Sequence, residues 1–479
     1  MNYFISIILP NIYLILLFSP AIYALYLRRQ DRLTDEAVCR LILITGAVLR
    51  IMYTTYTDGF TRQHDVGSFE AMNDGHSGYI LYLMNNHRLP DFDPRDHWQF
   101  YHPPLHHIIS ALTLTLISKL GLNIATVGVK VLQFISTAWS LLFSVFAFLA
   151  LKRLGLKGSA LRLSVCAAAF HPTLIILSGS LNNDMLSGML AMAAIFFTIR
   201  WAQTKKLRDI ILIALSIGLG MFTKLTVGLI APAVAAVFLI VLIRSPKKRA
   251  GLIGQFALFG AVCIPLGMFM PVRNYIKFSV PLNFVPAVGE GSQQHINVSP
   301  VYRLFDFSIY QIASPFTQWT WNDDPYNEFN PLIALLKNAM FDEETFFSRS
   351  ITLQSLCTLL FFSAAVCALF AACANIMIWR KKETLTLEYK LLLTLLFAVI
   401  FGNYIIFCLN YPDVCTENMR YCLPLIFTGA ASFGLFIQRY EESKNSAAAA
   451  AVKTIKPIAA CAAALSIFVY TALMYYTLW

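Results

Sequence analysis

The chain has 479 residues, of which 57% are hydrophobic and 13% charged, and a mean hydropathy of +0.62. Repeated apolar runs of about 18 or more residues exclude a soluble globular fold and predict an all-α polytopic membrane protein. The net charge of +11 would suit nucleic acid, but basic loops gathered on one side of a membrane account for it, so no nucleic-acid partner is expected.

Hydropathy and the positive-inside rule predict about twelve transmembrane helices with the N-terminus outside. The first run, about 3–27, is too long and its start too poor in Lys and Arg for a cleaved signal peptide. It leads to Arg28-Arg29-Gln30-Asp31-Arg32 inside, and a second helix (about 38–56) exits into a first outer loop, 57–126. Pro103 to Leu120 is apolar but opens with two prolines and two histidines, and reading it as a span would invert every later loop. It is therefore expected to lie at the outer interface.

Further spans follow at about 127–151, 159–180, 185–203, 209–223, 225–244 and 251–272. A second long outer loop, 273–349, carries Pro, Asn, Asp, Trp and Tyr in a mix typical of an ordered segment. The last four spans are expected at about 351–378, 390–408, 421–438 and 457–477. The whole, 1–479, reads as one integral membrane domain. Ten cysteines stand singly, with no CxxC pair, and read as small buried hydrophobes. A disulfide among Cys408, Cys415 and Cys422, near one outer loop, stays open.

Of nine histidines, seven lie between Asp58 and His107: His64, His76, His87, His97, His102, His106 and His107. Asp58, Asp65, Glu70, Asp74, Asp91, Asp93 and Asp96 share the segment. So many groups able to accept, donate or coordinate point to chemistry rather than packing. Asp65, where a membrane helix meets water, is the first candidate for a base, with Asp58, Glu70 and Asp74 as competitors. The plainer reading is that Asp65 or Ser68 caps an amphipathic helix running through Tyr79 to Met84. Glu70 and Asp74, four apart, would share one face of that helix. A divalent metal on Asp65 and its neighbours stays open, although no HxxxH or HExxH pattern is present.

Tyr101-His102-Pro103-Pro104-Leu105-His106-His107 is more specific, because the double proline fixes an extended approach to a helix whose first turn holds His106 and His107. Asn182-Asn183-Asp184 forms a polar knot between apolar helices; a simple turn and cap is the alternative. Lys224, between two apolar runs, is costly unless paired or used, though it can also snorkel. Arg273-Asn274 and Arg420-Tyr421 place arginines at outer helix ends, where a guanidinium fork suits a phosphate or pairs with acidic loops.

In this order, His64-Asp65, Gly75-His76-Ser77-Gly78-Tyr79-Ile80 leading to Leu89-Pro90, Tyr101-His102-Pro103-Pro104-Leu105, Asn183-Asp184, Thr223-Lys224-Leu225-Thr226, Arg273-Asn274 and Arg420-Tyr421 resemble the glycosyltransferase C superfamily. These are polytopic enzymes that use polyprenyl-phosphate-linked sugars. The resemblance spans about residues 40–430. It implies juxtamembrane helices in the first outer loop over a lipid-lined cavity and Asp65 as catalytic residue. Arg273, Arg420 and Lys224 would then lie near the donor phosphate. An additional helix before the usual first one, and a blurred acidic pair, set this chain apart.

The expected function is transfer of a sugar from a polyprenyl-phosphate carrier to an acceptor hydroxyl on lipid, glycan or protein, with inversion at the anomeric carbon. The active site would lie on the extracytoplasmic face of the plasma (inner) membrane. Besides Asp65, the substrate would meet His64, Glu70, Asp74, His76, Tyr101, His102, His106, His107, Asn183, Asp184, Lys224, Arg273, Asn274, Arg420 and Tyr421. No nucleotide cofactor is expected, since neither a phosphate loop nor a Rossmann fingerprint is present. The alternatives are a transporter or flippase of lipid-linked sugars, a ligase or polymerase using diphosphate-linked glycans, and a non-catalytic envelope scaffold.

Overall fold

Long runs of Leu, Ile, Ala and Phe have no water to bond their peptide groups in a bilayer, so they satisfy them internally as helices. The computed structural model describes residues 7–69, 74–288, 292–318, 328–380, 385–441, 443 and 446–478, and among these no strand forms. In chain order the helices are α1 (Leu9–Arg29), α2 (Asp35–Tyr56), α3 (Gly75–Asn86), α4 (Leu105–Lys119), α5 (Val129–Arg153), α6 (Gly158–Ala169), α7 (Pro172–Ile176), α8 (Asp184–Thr204) and α9 (Leu207–Met221). They continue with α10 (Ala231–Arg244), α11 (Arg249–Phe278), α12 (Pro300–Phe305), α13 (Ile309–Ala313), α14 (Pro331–Phe341), α15 (Ile351–Met377), α16 (Leu387–Asn410), α17 (Pro424–Tyr440) and α18 (Ser446–Leu478).

Among the described residues nine helices are long and apolar enough to cross a membrane. Two bent pairs, Gly158–Ala169 with Pro172–Gly179 (46°) and Val414–Cys422 with Pro424–Tyr440 (57°), raise this to eleven if each is one span. The chain is thus an integral membrane protein. About twelve spans were expected, and the difference is the run at about 209–223. It forms the 15-residue α9, roughly 22 Å long at 1.5 Å per residue against a hydrocarbon core of about 30 Å.

One compact unit comprises Met1–Tyr56, Ala147–Ile176 and Ala287–Trp479. Its core joins α6, α15, α17 and α18 through Ala160, Ala371, Ala374, Phe433, Phe436 and Val452. The bend between α6 and α7 has a local cause: Pro172 supplies no N–H, so carbonyls at the end of α6 lose helical donors. Arg50, buried in α2, replaces them by donating to the carbonyls of Ala169 (2.6 Å) and Ala168 (3.1 Å). Further on, buried ion pairs join Arg303 to Glu417 and Lys337 to Glu328, each at 2.6 Å.

The second unit comprises Thr57–Phe146 and Leu177–Pro286. Its loop core packs Val66, Phe69, Tyr79, Leu83, Phe100 and Leu114 with Leu132 and Leu181, so α3 and α4 are seated against the start of α5 and the turn before α8. That packing holds the histidine-rich segment in place. Lys130 and Gln133 of α5 finish the anchoring by donating to the carbonyls of Thr57 (2.7 Å) and Asp58 (2.9 Å).

Candidate active site

The segment around Asp65 is fixed from the backbone outwards. Helix α3 starts at Gly75, not near Asp65 or Ser68, and its first peptide N–H groups find backbone acceptors. Gly75 donates to Trp98 O (3.1 Å), His76 to Asp65 O (2.8 Å) and Ser77 to Val66 O (2.8 Å). The expectation that the Asp65 or Ser68 side chain caps this helix is therefore corrected: Asp74 is the N-cap residue, and its side chain makes no cap bond. Asp65 itself adopts a left-handed conformation (φ 56°), which an aspartate tolerates better than most residues. Its carboxylate is left exposed at the positive end of α3 and accepts the Trp98 Nε1–H at 3.3 Å.

The competing carboxylates are otherwise engaged. Asp58 closes an Asx-turn, accepting from the N–H groups of Phe60 and Thr61 (2.7 Å each) and from the Thr61 hydroxyl (2.7 Å). Partial burial raises its pKa, but these bonds outweigh burial and leave it below the usual carboxylate range. Asp74 pairs with exposed His97 at 2.8 Å. Because α3 begins at Gly75, the shared helical face expected for Glu70 and Asp74 does not form at Asp74; Glu70 lies outside the described residues.

Four of the singled-out histidines gather. His76 Nδ1 lies 2.9 Å from His107 Nε2, and the His76 ring stacks on His102 and His107 at 5.6 and 5.2 Å between centroids. His106 Nε2 donates to the Leu181 carbonyl at 2.9 Å. Tyr101 leans on His102 at 4.3 Å. His106 and His107 do occupy the first turn of α4, but they are buried rather than turned to water or headgroups. Burial pulls the His106 imidazole down to about 4, against the Leu181 carbonyl and Asp184. It holds His107 well below the usual histidine range, with the neighbouring His76 and His106 acting in the same direction. Among the described residues of this unit, no three His, Cys or carboxylate side chains bring ligand atoms close enough to share a metal ion.

The polar knot before α8 joins this cluster. Asp184 forms a buried ion pair with Lys224, Asn183 donates to the Thr223 carbonyl at 3.1 Å, and the Leu105 N–H, opening α4, reaches Phe222 O at 3.0 Å. At the end of α11, Arg273 donates to the Pro90 carbonyl and to Asn274 Oδ1 (3.0 Å). Nearby, Lys277 pairs with Asp91 at 2.8 Å and Arg95 donates to Phe278 O at 3.0 Å. His64, beside Asp65, is half-buried. Arg420 and Tyr421 belong to the other unit, where the guanidinium donates to the tyrosine hydroxyl at 2.9 Å.

Sequence reasoning passed over two glutamines. Gln63 donates to Gly179 O (2.8 Å) and accepts from the Leu181 N–H (3.1 Å). Gln133 also donates to Gly179 O, at 2.9 Å. Between them they hold the chain next to His64-Asp65 against the turn that leads to Asp184. An amide inside the otherwise apolar α5 was the available signal, since such groups are costly without partners.

Residues 102–273 match the family model described as dolichyl-phosphate-mannose-protein mannosyltransferase. No curated protein sequence matches the chain. The fold is similar to that of ArnT from Cupriavidus metallidurans in the apo state, at 13% identity and a TM-score of 0.50, covering 90% of this chain and 76% of that one. With ArnT bound to undecaprenyl phosphate the figures are 12% and 0.51 over the same shares. An oligosaccharyltransferase from Archaeoglobus fulgidus gives 12% and 0.49, covering 91% of this chain and 56% of that one. The matched segment and the ArnT-like fold bear out the resemblance to the glycosyltransferase C superfamily, whose polytopic membrane fold this chain has.

Proposed function

We propose that the chain transfers a sugar from a polyprenyl-phosphate carrier to an acceptor hydroxyl, with Asp65 as base. The carrying observation is the exposed Asp65 carboxylate, held by the peptide N–H of His76 on its own carbonyl and oriented by Trp98. A carboxylate oriented this way and open to solvent suits removal of a proton from an arriving hydroxyl. The match to a mannosyltransferase family and the fold shared with ArnT, which has been seen with undecaprenyl phosphate bound, support a lipid-linked donor.

In the proposed step the acceptor oxygen forms a bond to the anomeric carbon as its proton passes to Asp65. The bond from that carbon to the donor phosphate oxygen breaks, and polyprenyl phosphate leaves with the electron pair. Attack opposite the leaving group inverts the anomeric centre. Lys224, Arg273 and Arg420 are assigned to the phosphate, whose charge grows as the bond breaks. His64, Glu70, Asp74, His76, Tyr101, His102, His106, His107, Asn183, Asp184, Asn274 and Tyr421 are assigned to substrate binding. The reaction is placed on the extracytoplasmic face of the plasma (inner) membrane, where the basic-loop asymmetry puts 57–126.

The test is transfer of radiolabelled sugar by membranes charged with polyprenyl-phosphate sugars, comparing the natural chain with Asp65→Asn at matched expression, with donor binding measured separately. Loss of transfer with donor binding retained is expected. Full transfer by Asp65→Asn moves the base elsewhere, and donor translocation without transfer by the natural chain favours a flippase.

A further inference from the structure

Among the described residues, helices α12 and α13 carry an apolar face that stands exposed. Val301, Tyr302, Phe305, Phe307, Ile309 and Tyr310 are all more than half exposed, and Tyr310 reaches 82%. Between Pro300 and Ala313 the only charged residues are Arg303 and Asp306; Arg303 is buried on the opposite side and Asp306 is half-buried. Six large exposed aromatic and aliphatic side chains within ten residues, with no exposed charge among them, are unusual on a face meant for water.

The position of this face is set by Arg303. Its guanidinium donates to the Cys408 carbonyl at 2.6 Å, one of the last four carbonyls of α16, which have no helical donor of their own. It also pairs with Glu417 at 2.6 Å and donates to Phe329 O at 3.1 Å. Helix α12 is therefore fastened to the very end of a membrane-spanning helix, where hydrocarbon gives way to headgroups. On the last turns of α16 itself, Ile406 is 59% exposed, so the apolar surface of the span continues towards α12. Two tyrosines, each with an apolar ring and a polar tip, suit that boundary.

We propose that the α12–α13 face is a membrane-interface anchor, its aromatic side chains inserted among the phospholipid headgroups and upper acyl chains of the leaflet at which α16 ends. The same Arg303–Glu417 pair connects the anchor to the turn that carries Arg420, three residues beyond Glu417. The depth of the anchor in the leaflet accordingly sets the depth of Arg420. Its use for a donor phosphate rests on the function proposed above, whereas the lipid contact does not.

The test places p-benzoylphenylalanine at Tyr310 and, separately, at Ile406 of the full chain in phosphatidylethanolamine and phosphatidylglycerol vesicles, and reads photo-adducts by mass spectrometry. Phospholipid adducts at both positions are expected. Adducts at Ile406 with none at Tyr310, or cross-links from Tyr310 to another protein chain, would overturn the anchor. Sugar transfer by the same preparations is scored separately, so a failed anchor and a failed transferase reading give different results.

Discussion

The peptide N–H of His76 donates to the carbonyl of Asp65 at 2.8 Å, so the main chain of the candidate base is tied to the N-terminus of α3. Asp65 thus meets the start of α3 with its carbonyl, where an aspartate before a helix usually does so with its side chain. Local structure and proposed chemistry use different atoms of one residue.

Gly75 makes this arrangement possible. Its φ is 91°, and a Cβ there would lie 2.7 Å from Val66 O and 2.8 Å from Asp65 O. Gly75→Ala therefore strains the backbone by roughly 1–3 kcal/mol and pushes on the carbonyls that seat Asp65. Transfer should fall about tenfold or more, measured at matched membrane expression. Gly121→Ala, at another positive-φ glycine with open space around it, should leave transfer unchanged.

The Lys224–Asp184 pair is nearly dry, with side chains 10% and 2% exposed. Removing one charge leaves the other buried without its counter-charge, which costs about 3–5 kcal/mol. Asp184→Asn and Lys224→Met should each lower the melting temperature in detergent strongly. The double variant should melt close to the natural chain while transfer stays lost, if Lys224 serves the phosphate. Equal transfer by the double variant would confine the pair to a structural role.

How much of this was legible in sequence depends on the range of the interaction. The double proline at 103–104 and the start of α4 at Leu105 are local and could be read directly, as could the apolar spans. Asp184 and Lys224 each stood out as a costly polar group, but their pairing links positions 40 apart and leaves no periodic trace. The cap of α3 was misassigned because it depends on the left-handed φ of Asp65, which lets carbonyls rather than a side chain meet the helix end. α9 was read as a span on hydropathy alone, yet the chain turns after Met221 and leaves it too short. The Gln63 and Gln133 clamps were missed because amides carry no charge to flag them.

Arg50 illustrates a polar group serving the fold inside the membrane. It donates to Gly46 O, Ala168 O and Ala169 O, two of which lie where α6 stops before Pro172. Arg50→Met removes these donors in a place water does not reach, and each orphaned carbonyl costs roughly 1–3 kcal/mol. A marked loss of folded protein after detergent extraction is expected, with Arg50→Lys intermediate because one ammonium cannot span the same acceptors as a planar fork. An unchanged melting temperature in Arg50→Met would show that α6 and α7 hold their bend without it.

His106 gives the fold a dependence on pH. Burial holds its imidazole at about 4 rather than the ordinary 6.5, so between those values the unfolded chain binds a proton that the folded chain refuses. Stability is then complete above about 6.5, declines as the pH falls towards 4, and levels off below it. The depression corresponds to about 3 kcal/mol at 1.36 kcal/mol per pKa unit. His107, depressed further by burial and its histidine neighbours, adds to the same slope. His106→Gln keeps an N–H donor for the Leu181 carbonyl but does not titrate. Melting temperatures measured from pH 7.5 to 4.5 should therefore fall less steeply in His106→Gln than in the natural chain. Parallel curves would mean that His106 is already solvated and charged in the folded protein over this range.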